Sequence, residues 1–392
     1  MTFVAVFCLG LLFFQIPATL ILLSRLLKGP SRRPPLLPLQ TTGDLLGKVS
    51  IIVPTLNEVE RIDPCLLGLS QQGYEVREIL VVDSQSTDGT REKIKDIAAL
   101  DPRFRLKTDD PLPSNWVGRP WALHNGFLMS SPQSEWILGI DADTQPQRGL
   151  VASIVKTAIE EGYDLLSLSP QFILKYPGEW WLQPALLMTL LYRFDSAGVR
   201  DHVPERVMAN GQCFLIRRSV LEALGGYQCA AKSFCDDVTL ARYAACSGYK
   251  VGFMDGAKVL RVRMYEGLQE TWKEWGRSLD LKDAATSAQV TGDLGFLLLI
   301  QGLPLFIVIA LVLFFLQGYH FPTLIIALVL NLLLLLIRFG LLFAITPSYD
   351  RDHTKQASSW LFWLSPLADP LAVLRIMLSA LQKPTSWRGR EY

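Results

Sequence analysis

The sequence predicts an α/β domain with a mixed, mostly parallel sheet, held to a membrane by helices at both ends. Three observations predict it. Short apolar runs alternate with helix-like stretches through the middle of the chain, the order that gives parallel strands and right-handed connections. The long apolar runs lie in the first two dozen positions and after Leu294. Two of the strand-like runs end on carboxylates, at Asp83 and at Asp141/Asp143, and ligands of open α/β sheets bind just beyond the strands' carboxyl ends.

Composition narrows the class. Half of the 392 residues are hydrophobic, and their uneven distribution describes a membrane-anchored protein with one soluble domain of ordinary size. The formal net charge is +1, so no basic excess points to nucleic acid. The six cysteines (Cys8, Cys65, Cys213, Cys229, Cys235 and Cys246) form no C-x-x-C pair and have no histidine at metal-ligand spacing. They read as reduced, mostly buried thiols, with a Cys229–Cys235 disulfide as the less favoured alternative.

Phe3 to Ser24 is almost wholly apolar and about long enough to cross a bilayer once. Arg25, Lys28, Arg32 and Arg33 follow, and positive flanks stay on the cytoplasmic side, so the N-terminus is expected outside. A cleaved signal peptide would carry its charge ahead of the apolar run, and none precedes Phe3. Residues 1–28 therefore read as an anchor. Residues 29–47, with the proline-rich stretch Pro30–Pro38, read as a stiff spacer.

Residues 48–290 are expected to form the α/β domain, facing the cytoplasm. Val49–Pro54 is a strand, followed by the loop Thr55–Glu58 and a helix from Glu60 to Gln72. Ile79–Val82 is the next strand; it ends on Asp83, and Ser84–Thr90 turns into the helix Arg91–Leu100. Phe104–Leu106 is a third strand and Arg119–Met129 a helix. Trp136–Ile140 is a short apolar run suited to a buried strand, and it stops abruptly at Asp141-Ala142-Asp143. The run from Trp180 to Tyr192 is a helix, either at the lipid headgroup level or in the core. Phe214–Ile216 is a strand after Asn210-Gly211-Gln212-Cys213, and Val238–Ser247 is a helix opened by Asp236 and Asp237.

Residues 291–392 return to the membrane. Leu294–Leu316 and Phe321–Ile345 are candidate spans, and Arg338 near the end of the second is expected to snorkel to the interface. Ser358–Leu381 is broken by Pro366, Asp369 and Pro370, which suits a re-entrant or interfacial segment at least as well as a span. A basic tail with Lys383, Arg388 and Arg390 follows, and the charge rule keeps it inside.

Two carboxylates one residue apart at a strand end, near a phosphate, suit a hard divalent cation that keeps several of its waters. Taken alone, such a pair is more often a turn or a helix cap. The chain has no G-x-x-x-x-G-K-[ST], which removes a P-loop, and no G-x-G-x-x-G after the first strand, which argues against a dinucleotide-dependent reductase. Asp236 and Asp237 open a helix side by side, and a second carboxylate nearby raises the pKa of one member of such a pair, helping it to act as a base. The plainer reading is that both cap the helix and favour its positive end. Gly211 either lets the backbone approach a ligand closely or marks a turn or bulge. His124 reads as a packed helix residue.

Four blocks, Val49–Glu58, Val81–Thr90, Asp141–Asp143 and Cys235–Leu240, resemble in order and spacing the family 2 inverting glycosyltransferases with a GT-A fold. The resemblance runs through essentially all of the soluble domain. It implies a nucleotide-sugar donor, UDP- or GDP-linked, and Mg2+ or Mn2+ as cofactor. It also implies that Pro54, Thr55, Glu58 and Asp83 hold the nucleoside, that Asp141 and Asp143 handle the ribose and the metal–diphosphate, and that Asp237 is the general base, with Asp236 beside it. Two departures are visible: Asp83-Ser84 stands where many members have two aspartates, and Asp236-Asp237 where Glu-Asp is commoner.

A narrower likeness lies in Trp116–Ala122 and Trp387–Tyr392. These resemble membrane-bound members that glycosylate carotenoids, such as the myxol 2'-O-glycosyltransferases, or that occur with hopanoid synthesis. Arg119 stands where lysine is usual in them, and is expected to face the diphosphate. Trp275 and Arg277 lie where processive members carry Gln-x-x-Arg-Trp, but Glu274 occupies the arginine position and the pattern fails. That failure, with so few spans after the domain, favours a single sugar transfer. Gly211, Gln212, Trp275 and Arg277 are the candidate acceptor residues.

The leading expectation is non-processive, inverting transfer of a sugar to a hydroxyl of an apolar membrane lipid, a carotenoid among the candidates. The rival enzymes are a polyprenyl-phosphate sugar synthase and a polysaccharide synthase. A rival of another class is a catalytically silent nucleotide-sugar-binding membrane protein, against which the presence of both Asp143 and Asp237 argues.

Overall fold

Val49–Thr55 (β1) is buried at every position, because strands pair with it on both edges and helices cover it on both faces. Such a strand carries apolar residues without alternation, which is what Val-Ser-Ile-Ile-Val-Pro-Thr nearly does. The computed structural model describes residues 3–200, 203–277, 279, 281–350, 358–382, 386–387 and 390–391. The chain divides into two compact units: residues 31–173, 196–264 and 384–392 in one, and residues 1–30, 174–195 and 265–383 in the other. The units are discontinuous in sequence, unlike the contiguous expectation of 48–290. Residues 174–195 and 265–290 cluster with the apolar helices instead.

The first unit is built on a seven-stranded sheet. In chain order its strands are β1, Val76–Asp83 (β2), Phe104–Thr108 (β3) and Trp136–Ile140 (β4), then Leu165–Ser169 (β6), Cys213–Arg217 (β8) and Val251–Asp255 (β9). Thr144–Pro146 (β5), Gln171–Phe172 (β7) and Leu260–Val262 (β10) form a separate small sheet, in the order β5-β10-β7. The large sheet runs β3-β2-β1-β4-β8-β6-β9, parallel except that β8 lies antiparallel to both its neighbours. The sheet is thus mixed and mostly parallel, and the carboxyl ends of β1, β2 and β4 share one edge.

Period-two alternation assigns the two faces. Ile51 and Val53 point into a core shared with the helices Asp63–Ser70 (α2), Thr90–Leu100 (α3) and Leu150–Glu161 (α5). Ile52 points the other way, towards Gly118–Met129 (α4) and Asp236–Cys246 (α8). Gly126 lets α4 sit close: a Cβ there would lie 2.4 Å from Ile52 Cγ2. The helix α2 starts at Asp63, later than the Glu60 of the sequence reading. Pro64 has no N–H to give and is tolerated only in a first turn, so it fixes the start.

Residues 31–47 do not form a free spacer. Arg33 N donates to Gly198 O at 2.9 Å and Leu36 N to Asp255 O at 2.8 Å, and Leu36 is buried in the sheet core. The prolines cannot donate, but the residues between them can. All six cysteines are free thiols; four are buried, Cys229 is intermediate and Cys246 is exposed.

The second unit is helical: Phe3–Leu26 (α1), Pro177–Arg193 (α6), Gly267–Lys273 (α9), Ser287–Leu297 (α10), Pro304–Leu316 (α11), Pro322–Ile345 (α12) and Asp369–Leu381 (α13). Three helices among the described residues are long and apolar enough to cross a membrane: Phe3–Ser31, Pro322–Ser348 and Ser359–Leu381, with mean hydropathies of 2.4, 2.7 and 1.5. The expected single span Leu294–Leu316 is broken. A π-helical turn, Leu298–Gly302, and then Pro304 separate α10 from α11, and the pair bends by 50°.

Gln15 of α1 and Asn331 of α12 are fully buried and exchange amide hydrogen bonds at 2.9 and 2.8 Å. Arg338 does not snorkel. It is 2% exposed and makes a two-point ion pair with Asp369, because the carboxylate that seemed to break the last segment instead opens α13 beside it. The helix α6 is a core helix of this unit, with Trp180, Leu186, Met188 and Tyr192 buried.

Candidate active site

Strand β4 ends at Ile140, and the chain turns at once: Thr144 N and Oγ1 both donate to Asp141 O, at 3.2 and 2.7 Å. Ala142 points into the core, so Asp141 and Asp143 on either side of it remain partly exposed. Beneath them the buried Cys65 accepts from Thr144 Oγ1 at 3.7 Å. Burial pushes that thiol up to about 12, so it is inert packing.

Arg119, at the start of α4, reaches three groups. Its Nε and Nη2 donate to Asp141 Oδ1 at 3.0 and 2.8 Å, Nη1 donates to Asp236 Oδ2, and Nη2 also donates to Gly211 O at 2.9 Å. Burial alone would lower this guanidinium, but Asp141, Asp236 and Asp237 around it push it well above the ordinary arginine value. Gly211 is what lets the arginine in, since a Cβ there would stand 2.3 Å from Arg119 Nη2. The space at Gly211, where the sequence suggested a close approach to the acceptor, is taken by Arg119.

Gly211 also ties the base candidate into the same cluster. Its N–H donates to Asp237 Oδ2 at 2.6 Å, and Val238 N donates to Asp237 Oδ1 at 2.9 Å. Burial and the neighbouring Asp236 push the Asp237 carboxyl up to about 6, against Arg119 and the two amides, which pull it down. Asp236 itself is 4% exposed and held by Arg119. Asp237 is the more open of the two.

The remaining candidates separate into those that shape the rim and those that lie elsewhere. Asp83 is fully buried; it accepts from Ser86 N at 3.1 Å and from Thr55 Oγ1 at 3.4 Å, which fixes the turn after β2. Pro54 and Thr55 are strand residues paired with Val82 and Asp83. Glu58 is buried, and its carbonyl accepts from Arg61 N and Ile62 N ahead of α2. Gln212 is 4% exposed and its side chain accepts from Asn210 Nδ2 at 3.1 Å. Trp275 belongs to the helical unit, where it lies against Tyr265 with ring centroids 6.4 Å apart. The Arg277 side chain, and Arg388, Gly389 and Tyr392 of the terminal motif, lie outside the described residues.

His124 is a packed residue. It stacks on Trp116 at 5.0 Å and 22°, and its Nδ1 accepts from Tyr227 N at 3.4 Å. Burial lowers its pKa. The sequence reading missed Asn210, whose Oδ1 accepts from Gln212 N at 2.9 Å while its own N donates to Ser167 Oγ at 2.7 Å. That brace holds Gly211 between Arg119 and Asp237. The one sequence signal was a polar residue flanking a glycine before a strand.

Among the described residues no three His, Cys, Asp or Glu side chains gather as a metal cage. Asp141 and Asp143 fit a cation of another kind, one bound by one or two hard carboxylate oxygens together with a substrate's phosphates.

Residues 50–225 match the model of Glycosyl transferase family 2, and residues 196–392 match that of Glycosyl transferase family 21. The chain belongs to the glycosyl transferases: the family 21 model covers just over half of it and the family 2 model just under half. It is 25% identical over 251 residues to a 4,4'-diaponeurosporenoate glycosyltransferase of Staphylococcus haemolyticus, covering 63% of this chain and 65% of that one. It is 26% identical over 210 residues to the glycosyltransferase AglE of Haloferax volcanii, covering 52% and 64%. These matches span just under two thirds of the relatives' lengths. The solved mannosyltransferase PcManGT of Pyrobaculum calidifontis, in complex with GDP-Man and Mn2+, covers 96% of this chain and 98% of its own with a TM-score of 0.50 at 19% identity, a likeness of fold.

Proposed function

We propose that this protein transfers one sugar from a nucleotide-sugar donor to a hydroxyl of an apolar membrane lipid, with inversion at the sugar carbon. The observation that carries the reading is the Arg119 cluster. It brings the carboxylates after β4 and those opening α8 to one place, although nearly a hundred residues separate them. One set suits the donor's diphosphate and the other suits the acceptor's proton.

In this reading Asp237 takes the proton of the acceptor hydroxyl as that oxygen bonds the donor's anomeric carbon. The bond from that carbon to the diphosphate breaks in the same displacement, and the diphosphate leaves with the electron pair. A single displacement inverts the carbon. Asp237 is suited to the role because burial and Asp236 keep its pKa near neutrality, where a base is most effective. Asp143, with Asp141 beside it, would hold Mg2+ or Mn2+, which would stabilise charge on the leaving diphosphate. Asp83, Pro54, Thr55 and Glu58 shape the loops expected to take the nucleoside. Gly211, Gln212, Trp275 and Arg277 are proposed to face the acceptor.

Support for a lipid acceptor comes from the apolar helices and from the staphylococcal relative, which is named for a carotenoid substrate. The basic residues Arg25, in the last turn of α1, and Lys28, Arg32 and Arg33 after it favour a cytoplasmic sheet unit. Supplying radiolabelled nucleotide sugar to membranes containing the protein tests the reading. Label is expected in a neutral, acid-resistant lipid. Label in an acid-labile, phosphate-linked lipid or in a polymer would replace it with one of the rival enzymes, and no protein-dependent label with UDP- or GDP-sugars would leave only a silent binder.

A further inference from the structure

Four buried polar side chains of the helical unit gather where two of its helices lose regular winding. The π turn Leu298–Gly302 carries Gln301. The 3-10 segment Ser359–Ala368 carries Ser365 and passes into α13 at Asp369. π turns are rare and frequently mark functional sites. Irregular backbone at membrane depth persists only where protein buries it or where it lines a cavity.

Arg338, from α12, completes the group. Its Nε donates to Asp369 Oδ2 at 2.7 Å, and its Nη2 to Asp369 Oδ1 at 3.0 Å and to Ser365 Oγ at 3.3 Å. Gln301 Nε2 donates to the same Asp369 Oδ1 at 3.1 Å and to Ala185 O at 3.0 Å. All four side chains are at least nine-tenths buried. Ionisable groups inside membrane segments are costly and point to function by default.

Two atoms of this group, Arg338 Nη1 and Gln301 Oε1, are buried and have no hydrogen-bond partner among the described residues. The Gln301 amide is not reversible, because both partners of its nitrogen are acceptors only. One donor and one acceptor therefore remain, on side chains that meet at a single carboxylate oxygen. Leaving both unmet in an apolar interior is unfavourable.

We propose that this junction is a binding site for the hydroxyl group of a neutral, apolar lipid, which accepts from Arg338 Nη1 and donates to Gln301 Oε1. A hydroxyl is the smallest group that offers both functions on one atom. Charge selects against anions: Asp369 already neutralises Arg338, so a carboxylate or phosphate would bury an uncompensated negative charge. The hydrocarbon of such a lipid needs only apolar surface, which α12 exposes on its other faces at Leu336 and Phe339. The site concerns binding in the helical unit and stands independently of sugar transfer.

The test uses the full-length protein in phosphatidylcholine nanodiscs with three photoactivatable probes: a long-chain isoprenoid alcohol, its methyl ether and the matching carboxylic acid. The alcohol is expected to label peptides containing Gln301, Arg338 or Asp369. Its yield should exceed that of the ether and of the acid by about fivefold or more, the worth of one net hydrogen bond. Unlabelled alcohol should compete. Equal labelling by alcohol and ether, or labelling confined to other peptides, overturns the proposal and leaves a trapped water as the partner. Gln301→Met, which keeps length and removes the acceptor, should bring the alcohol-to-ether ratio towards one, and an unchanged ratio counts equally against the site. The comparison of probes on the unaltered protein decides the matter even if that variant fails to fold.

Discussion

Arg119 donates twice to a single oxygen of Asp141, at 3.0 and 2.8 Å, and its other amino group reaches Asp236. One guanidinium thus holds one member of each acidic pair. The arginine expected to face a diphosphate is largely engaged by the protein, and its side chain is only 14% exposed. A single ammonium cannot span three acceptors in the way a planar fork does. Arg119→Lys is therefore expected to lower turnover at least tenfold. Arg119→Ala leaves the buried Asp236 without its cation and should destabilise the sheet unit by about 3 kcal/mol, read as a fall in thermal midpoint.

Asp237→Asn should abolish transfer, by a factor of roughly 10² to 10⁴, while donor affinity changes by less than about twofold. Near-normal turnover in the variant would remove Asp237 from the base role.

The same carboxyl gives a signed pH dependence. Its folded pKa of about 6 stands above the ordinary 3.8, so the folded protein holds this proton more tightly than the unfolded chain. The contribution is fully present below about pH 4 and is lost as pH rises through about 6. Turnover should climb over the same interval as the base deprotonates. Thermal melts at pH 4 and pH 7.5 check the stability: Asp237→Asn should match the parent at the lower pH and exceed it at the higher.

Gly211→Ala places a methyl 2.3 Å from Arg119 Nη2, an atom already fixed by Asp141 and Gly211 O. The arginine must shift, and Asp237 loses the amide geometry that orients it. Turnover should fall at least tenfold, with a much smaller change in donor affinity measured by calorimetry.

Asp143→Ala should raise the Mn2+ or Mg2+ concentration needed for half-maximal donor binding by about tenfold or more. An unchanged metal requirement would move the cation elsewhere.

In the helical unit, Asn331→Leu leaves the buried Gln15 amide without its partner and should lower the thermal midpoint. Adding Gln15→Leu should recover part of the loss. The coupling in a double-mutant cycle is expected at roughly 0.6 to 1.7 kcal/mol.

Much of this was legible in the sequence, because strands and carboxylates announce themselves locally. Trp136–Ile140 is apolar throughout and stops at Asp141, so the strand and the site at its end come from one short stretch. What linear reading could not supply were pairings across long separations. Arg119 meets Asp236 across 117 residues, and Arg338 meets Asp369 across 31, and nothing in the neighbourhood of either arginine names its partner. The insertion of β8 between β4 and β6 is likewise set by packing, since Cys213–Arg217 reads as a strand in either direction. The break at Leu298–Gly302 had a local signal, Gln301-Gly302 with Pro304 two residues on, which the apolar residues on either side outweighed in a reading by hydropathy.

The order in which the two units close has a consequence for biogenesis. Every strand of the seven-stranded sheet has left the ribosome once Asp255 has, so the sheet can assemble while the polypeptide is still being made. The helical unit cannot. Gln15 waits for Asn331 and Ala185 for Gln301, so α1 and α6 are synthesised well before the groups that complete them. A nascent chain stalled near Met264 would carry every strand of that sheet, together with two helices whose polar partners are not yet made.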